Sequence, residues 1–247
     1  MSEILEDDSP ELSIVLPAHN EVTLLGSTVT NIVTGLEERA ERFEVIVVEN
    51  GSRDGTLRLA RLLATQVPSL RVLTLAVGDY GAALAAGFRA ARGEFVVNFD
   101  VDYYDLAFLD RAVDLLRTGS SSIVVASKRA PGSLDHRPLH RRLVTLVFTT
   151  LLGSLFGMPV SDAHGMKAMR KVDVADVVER CKMTQALFDV ELVIRAGRAG
   201  LKIAEVPAVV SERRPPRSPI WKRGLETIVG MVRLGLLLAS EERRAQR

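Results

Sequence analysis

The chain has 247 residues, 47% of them apolar, enough for one large α/β domain or for one domain with a C-terminal appendage. Its 32 lysines and arginines stand against 31 aspartates and glutamates, so net charge argues against nucleic acid as a partner. A single cysteine, Cys181, excludes an intrachain disulfide and suits a reducing cytosol, and no run of 18 uncharged apolar residues offers a membrane span.

Residues 1–11 read as a flexible, acidic lead without the apolar core of a signal peptide. Leu12–Leu16 is a short strand that stops at Pro17, followed by the polar elbow Ala18-His19-Asn20-Glu21. Thr23–Leu36 has helical spacing. Phe43–Val48 is a continuously apolar strand, the pattern of a parallel strand covered on both faces. The stretch Glu49-Asn50-Gly51-Ser52-Arg53-Asp54-Gly55-Thr56 carries two tight-turn signals, with Asp54 placed to cap a helix over Leu57–Gln66. A third strand, Leu70–Ala76, a Gly78–Gly81 loop and a small-residue helix, Ala82–Ala91, lead to a fourth strand, Phe95–Phe99. This alternation predicts a parallel, right-handed α/β sheet with helices on both faces. Three polar loops, His19–Glu21, Glu49–Thr56 and Asp100–Asp105, then fall at one edge of it, where open α/β sheets bind ligands.

Asp100-Val101-Asp102 ends the fourth strand. On an extended backbone the two carboxylates share a face. Held close, they repel unless a cation or a proton intervenes. A hard divalent ion, Mg²⁺ or Mn²⁺, takes a few carboxylate oxygens and completes its shell with phosphate oxygens. The triplet alone fits the start of a solvated loop equally well. No G-x-G-x-x-G follows the first strand and no P-loop sequence is present, so a dinucleotide or P-loop site is unsupported.

In the second half, Ser122–Ser127 is a strand and Lys128–Gly132 a basic turn. Leu139–Phe156 is an apolar helix headed by Arg141 and Arg142, and Asp162–Lys167 is a polar turn containing His164. Phe188–Arg198 is an amphipathic helix in which Glu191 and Arg195 are spaced to pair. Pro207 marks Ile203–Val210 as an edge strand. A basic, proline-rich loop, Arg213–Lys222, precedes the apolar helix Gly224–Ser240. Both apolar helices adjoin basic residues, a pattern that suits an interfacial helix at an anionic membrane and equally a helix packed on its own sheet or in an oligomer. Lys128–Arg142 also fits a solvated basic surface, and Glu21 a helix N-terminal charge. Cys181 reads as an inert core thiol.

The segment Ser13-Ile14-Val15-Leu16-Pro17-Ala18-His19-Asn20-Glu21, the Glu49–Thr56 stretch, the glycine and alanine spacing of Gly81–Gly93, and Asp100-Val101-Asp102 together resemble the family 2 nucleotide-sugar glycosyltransferases. Met158–Arg170 and Phe188–Pro207 resemble the dolichol-phosphate (polyprenyl-phosphate) mannosyltransferases within it. The resemblance runs from Leu12 to about Lys222. It implies a GT-A fold, Rossmann-like with a mostly parallel sheet and helices on both faces. The catalytic domain would span 12–212, with a basic loop and C-terminal apolar helix at 213–247.

By position, the resemblance puts Pro17, Ala18 and Glu21 at the nucleotide and Glu49 at the nucleoside, where Asp is usual. Asp100 and Asp102 would hold the diphosphate and a Mg²⁺ or Mn²⁺ ion. Asp102 and Arg213 would serve catalysis, with Arg217 near Arg213. Lys128, Arg141 and Thr145 would hold the acceptor phosphate. Tyr104 stands where a Gln often joins the metal shell, which leaves that place to Asp105 or water. Lys128 replaces an Arg, and His164 a small residue. The implied reaction is inverting transfer of one sugar, mannose from GDP-mannose, to a polyprenyl or dolichyl phosphate. Another donor such as UDP-glucose, or another cell-envelope acceptor, is the alternative. An aspartyl-phosphate phosphatase and a non-catalytic nucleotide-sugar binder are rival readings of other classes. The implied place is cytoplasmic, peripheral at the inner membrane face, with a homo-oligomer or a membrane-protein partner as further possibilities.

Overall fold

The computed structural model describes residues 9–135, 139–163, 165–185, 187–210 and 220–245. Arg213, Arg217 and His164 lie outside the described residues, as does most of the N-terminal lead. The first half alternates β1 (Leu12–Ala18), α1 (Leu25–Glu37), β2 (Phe43–Asn50), α2 (Thr56–Gln66), β3 (Leu70–Leu75), α3 (Tyr80–Ala90) and β4 (Phe95–Asn98). There follow α4 (Leu106–Arg117), β5 (Ile123–Ser127), β6 (Leu134–Asp135), α5 (Leu139–Phe156), β7 (Lys167–Arg170), α6 (Lys171–Arg180), α7 (Leu187–Arg198), β8 (Ile203–Pro207), β9 (Val209–Val210) and α8 (Ile220–Ala245).

Seven strands form one sheet in the order β3-β2-β1-β4-β7-β5-β8, while β6 and β9 make a two-stranded ladder of their own. Every pairing in the large sheet is parallel except those of β7, which runs antiparallel to both β4 and β5. The sequence reading places Lys167 in a polar turn, whereas it opens β7, and assigns no element to Ala168–Arg180. A four-residue strand with a charge at each end, followed at once by the valine-rich α6, carries too little period-two or helical signal to announce itself. Pro207 does lie on the edge strand β8.

Pro17 does not stop β1. It pairs with Val48 of β2, whereas β4 accompanies β1 only from Leu12 to Val15. The Val15 carbonyl accepts from Phe99 N–H on the β4 side, so alternate residues put position 17 on that same, now open, side. The missing proline N–H therefore costs no ladder bond.

Side-chain alternation along β1 divides the core. Leu12, Ile14, Leu16 and Ala18 pack with α1 and α4, and Val15 packs with α3, α6 and α7 on the opposite face. Each fully buried Leu, Ile or Val contributes about 1.5–3 kcal/mol. A third cluster joins Leu152 of α5, Val190, Val193 and Ile194 of α7, and Met231, Leu234 and Leu238 of α8. Helix α7 is thus buried around nearly its whole circumference, between the sheet and α8. Gly230 permits that approach, since a Cβ there would lie 1.9 Å from Leu187 Cδ1.

Polar contacts pin the far end of α8. The Arg195 guanidinium donates to Glu191 at 2.7 Å and bidentately to Glu241 at 2.7 and 3.0 Å. The Glu191–Arg195 pair is the one expected from its spacing. Its hydrogen bond to Arg195 holds the Glu241 carboxyl below its usual 4.5. A depressed carboxylate stabilises the fold above its unfolded value and loses that contribution as pH falls through its folded one. Protection factors over the last turns of α8, taken relative to the intrinsic exchange rate at each pH, should therefore fall between pH 5 and pH 3, ahead of those in β1 and β2. Equal protection of α8 at both pH values would contradict this.

Candidate functional site

The carboxyl ends of β1, β2 and β4 open on one edge of the sheet, and their loops are knitted together there. Asn20 adopts a left-handed backbone, φ 56°, which Asn tolerates well. Its N–H donates to Ser52 Oγ and its Oδ1 accepts from Arg53 N–H, both at 2.9 Å. The His19 ring nitrogen Nδ1 lies 2.6 Å from the Asn50 carbonyl and donates to it. Thr56 Oγ1 accepts from Glu21 N–H at 2.8 Å while its own proton goes to Asp54.

Asp54 is not the helix cap expected from sequence; Gly55, with φ 94°, occupies that position. Asp54 instead accepts from Thr56 N–H at 3.0 Å and Val22 N–H at 3.2 Å, binding the two loops. Burial pushes its carboxyl up, but these hydrogen bonds bring it below its ordinary value. Pro17, Ala18, Glu21 and Glu49 all fall inside this knot. Glu21 and Glu49 are buried, and Glu49 Oε1 accepts from Ser52 N–H at 2.6 Å, closing the Asn-Gly turn.

Asp100 and Asp102 meet for a different reason from the one the sequence offers. β4 ends at Asn98, so the two residues do not alternate along a strand. Asp100 and Tyr103 instead exchange backbone hydrogen bonds at 3.0 and 3.1 Å, and Asp102 lies in the turn between them. Thr28 of α1 holds that turn by donating to Val101 O at 2.6 Å. Burial lifts the Asp100 carboxyl to about 6; Tyr80 opposes the rise, and the neighbouring charges of Asp102 and Asp189 add to it. The Tyr80 hydroxyl donates to Asp100 Oδ1 at 2.9 Å. Burial, and then Asp100, hold the phenol well above its usual range, so it remains a donor.

Beneath this turn lies a buried ion pair. Lys167 Nζ donates to Asp189 Oδ1 at 2.8 Å and to Gly165 O at 2.9 Å, and both side chains are almost inaccessible. Asn98 Oδ1 accepts the Lys167 N–H at 3.1 Å. Tyr80, Asn98 and Asp189 carry no role in the sequence reading. The one available signal was Lys167, a lone cation between apolar Met166 and Ala168 that demands a buried partner.

Tyr104 is turned away from the edge. Its hydroxyl accepts from Asn31 Nδ2 at 2.9 Å and its ring lies against Phe99. Asp105, the other residue named for that place, caps α4 through Oδ1, which accepts from Ala107 and Phe108 N–H. No group of three or more metal-ligating side chains occurs among the described residues. Two carboxylates fit a hard cation that brings most of its other oxygens with it, as an ion bound to a diphosphate does. Asp100 and Asp102 are the residues that would hold it.

Lys128 follows β5 and its Nζ lies 3.5 Å from Asp162 Oδ2. Arg129 Nη1 donates to Thr149 Oγ1 of α5 at 2.5 Å, tying the basic turn to that helix. Thr145 is half-buried on α5. Arg141 begins the same helix, its side chain outside the described set.

The model of the family "Glycosyl transferase family 2" matches residues 13–178, and the chain belongs to that family. It thus has the GT-A fold of the family 2 glycosyltransferases, which sets aside the phosphatase reading. It is 32% identical to "Glycosyltransferase AglD" of Haloferax volcanii over 80% of its length, but spans only 32% of that protein. It is 31% identical to the "Dolichyl-phosphate hexose transferase" of the same organism, covering 86% of this chain and 87% of that one. It is 28% identical to the "Undecaprenyl-phosphate mannosyltransferase" of Micrococcus luteus, covering 94% and 97%. Among solved structures, glucosyl-3-phosphoglycerate synthase from Mycobacterium tuberculosis, in complex with Mn²⁺, UDP and phosphoglyceric acid, superposes with a TM-score of 0.69. That likeness, at 23% identity over 92% of this chain and 78% of the other, concerns the fold.

Proposed function

We propose that the protein transfers one hexose from a nucleotide-diphosphate sugar to the phosphate of a polyprenyl lipid. The observation that carries this reading is near full-length similarity to proteins named for polyprenyl-phosphate hexose transfer. A basic turn tied to an exposed apolar helix supports it. In the reaction an acceptor phosphate oxygen bonds to the anomeric carbon from the face opposite the departing diphosphate. The bond from that carbon to the diphosphate oxygen breaks, and the nucleoside diphosphate leaves with the electron pair.

The β1 and β2 loops, with Pro17, Ala18, Glu21 and Glu49, would seat the nucleotide. Asp100 and Asp102 would hold Mg²⁺ or Mn²⁺ against the diphosphate, and that ion would supply charge stabilisation to the leaving group. Lys128, Arg141 and Thr145 would orient the acceptor phosphate, which is largely ionised at neutral pH and needs placement more than a strong base. Arg213 would add a positive charge over the diphosphate.

Mannose is the first reading of the sugar, after the Micrococcus luteus relative named a mannosyltransferase, and GDP-mannose is the donor proposed with it. A UDP-linked glucose is the second, because a relative is named "Dolichyl-phosphate beta-glucosyltransferase ALG5A" and the solved fold neighbours are described with UDP-glucose. Incubation with labelled GDP-mannose and UDP-glucose in parallel, each with polyprenyl phosphate, separates them. Label in the lipid phase from GDP-mannose alone supports the first reading, and from UDP-glucose alone the second.

The enzyme would meet its acceptor at a membrane surface. No helix among the described residues is long and apolar enough to cross one. Leu143, Leu146, Val147, Leu151 and Leu155 of α5, and Ile228, Val232 and Leu236 of α8, are nevertheless exposed. The two stripes border the shared α5–α7–α8 cluster, with Arg142 and Arg233 also exposed. An interfacial helix buries such a stripe at the acyl boundary while its cations meet anionic headgroups. We expect flotation with anionic vesicles that weakens with salt and is lost in Leu143→Asp/Leu151→Asp. A monodisperse oligomer that does not float at low salt would assign these stripes to assembly.

A further inference from the structure

Tyr80 opens α3, twenty residues upstream of the carboxylate it touches. The turn that delivers it is fixed from three sides. Asp79 caps α3 by accepting from Ala82 N–H at 2.9 Å. The same Asp79 Oδ1 accepts from Gln185 N–H at 2.9 Å, across to the loop that leads into α7. Asp79 N–H in turn donates to Asn50 Oδ1 at 2.8 Å, at the end of β2. The neighbouring Gly81 leaves no slack, because a Cβ there would lie 2.7 Å from Phe188 Cβ and 2.8 Å from Gln185 O. A phenol has one proton to give, and here it goes to Asp100 Oδ1.

We infer that Tyr80 is a positioning residue for the cation site: its hydroxyl fixes Asp100 Oδ1 and so presents Oδ2 to a divalent ion held with the nucleotide diphosphate. This rests on the reading of Asp100 and Asp102 as the carboxylates of a metal–diphosphate site. A ligating carboxylate that is itself hydrogen-bonded arrives in one orientation, and losing such a partner lowers metal affinity by about 10- to 100-fold. The knot around Asp79 supplies the rigidity that such a partner needs, since it ties the phenol to β2 and α7 rather than to the mobile part of a side-chain rotamer.

Mn²⁺ binding followed by electron paramagnetic resonance, with saturating UDP or GDP present, reads this without turnover. Wild type should take up Mn²⁺ in the presence of one of the nucleotides. Tyr80→Phe, which keeps the ring and loses only the hydroxyl, should bind it about 10- to 100-fold more weakly. Its unfolding temperature should stay near that of wild type, and its turnover should recover as Mn²⁺ is raised. Unchanged Mn²⁺ affinity in Tyr80→Phe, with wild-type binding intact, overturns the assignment of Tyr80 alone. A fall in maximal turnover that excess Mn²⁺ does not restore, at unchanged affinity, overturns it as well. Absence of Mn²⁺ uptake by wild type with either nucleotide removes the metal site, and Tyr80's role with it.

Discussion

Asp102→Asn should lose sugar transfer by about 1,000-fold or more while unfolding at close to the wild-type temperature. A cation that stabilises a departing diphosphate contributes several kcal/mol to the transition state, and each 1.36 kcal/mol is tenfold in rate. With only Asp100 and Asp102 brought together at the turn, and no larger ligand group among the described residues, one lost carboxylate removes half of the protein's share. Stability should not follow activity. Asp102 sits in the turn closed by Asp100 and Tyr103, outside the sheet ladder, and Thr28 holds that turn through the backbone of Val101. Initial rates at matched Mn²⁺ or Mg²⁺, with calorimetry on the same samples, check both halves. Wild-type rates in Asp102→Asn would contradict the assignment.

Lys167→Met should have the opposite profile, a large loss of stability. Lys167 and Asp189 pair at 2.8 Å with side-chain exposures of 0% and 3%, so removing the cation strands a carboxylate where water cannot reach it. Breaking a buried pair in this way costs about 3–5 kcal/mol, which for a chain of this size lowers the unfolding temperature by roughly 10 °C. The double variant Lys167→Met/Asp189→Leu should regain most of that loss, because two apolar side chains can fill a site from which both charges have gone. Urea unfolding of the single and double variants measures it. A single variant within about 1 kcal/mol of wild type would show that Asp189 finds another partner or a proton.

The β1–α1–β2–α2–β3–α3–β4 half was readable from the sequence because its strands are unbroken apolar runs bounded by glycine, asparagine and aspartate turns. The same signals located the three loops at the sheet edge. What stayed hidden depends on pairings distant in the chain. β7 is too short and too charged to show a pattern, yet it inserts antiparallel between β4 and β5 and carries Lys167 under the Asp100 turn. Asp100 and Asp102 were found as a pair, but strand alternation was the wrong cause, since the chain turns back at Tyr103. Tyr80 reaches Asp100 from twenty residues upstream, and Asp189 pairs with Lys167 beneath the same turn from a later helix, distances that only the fold closes. Tyr104, adjacent in sequence, points instead to α1.

The acceptor decides the central claim. A single preparation should be given one labelled donor, Mn²⁺, and two acceptors in separate tubes: polyprenyl phosphate in anionic vesicles, and 3-phosphoglycerate in solution. Recovery of metal-dependent label in an organic extract of the first tube, with none in a charged, water-soluble product of the second, is the predicted result. Transfer to phosphoglycerate with no lipid-phase label would contradict it and would move the protein's chemistry to a soluble acid acceptor.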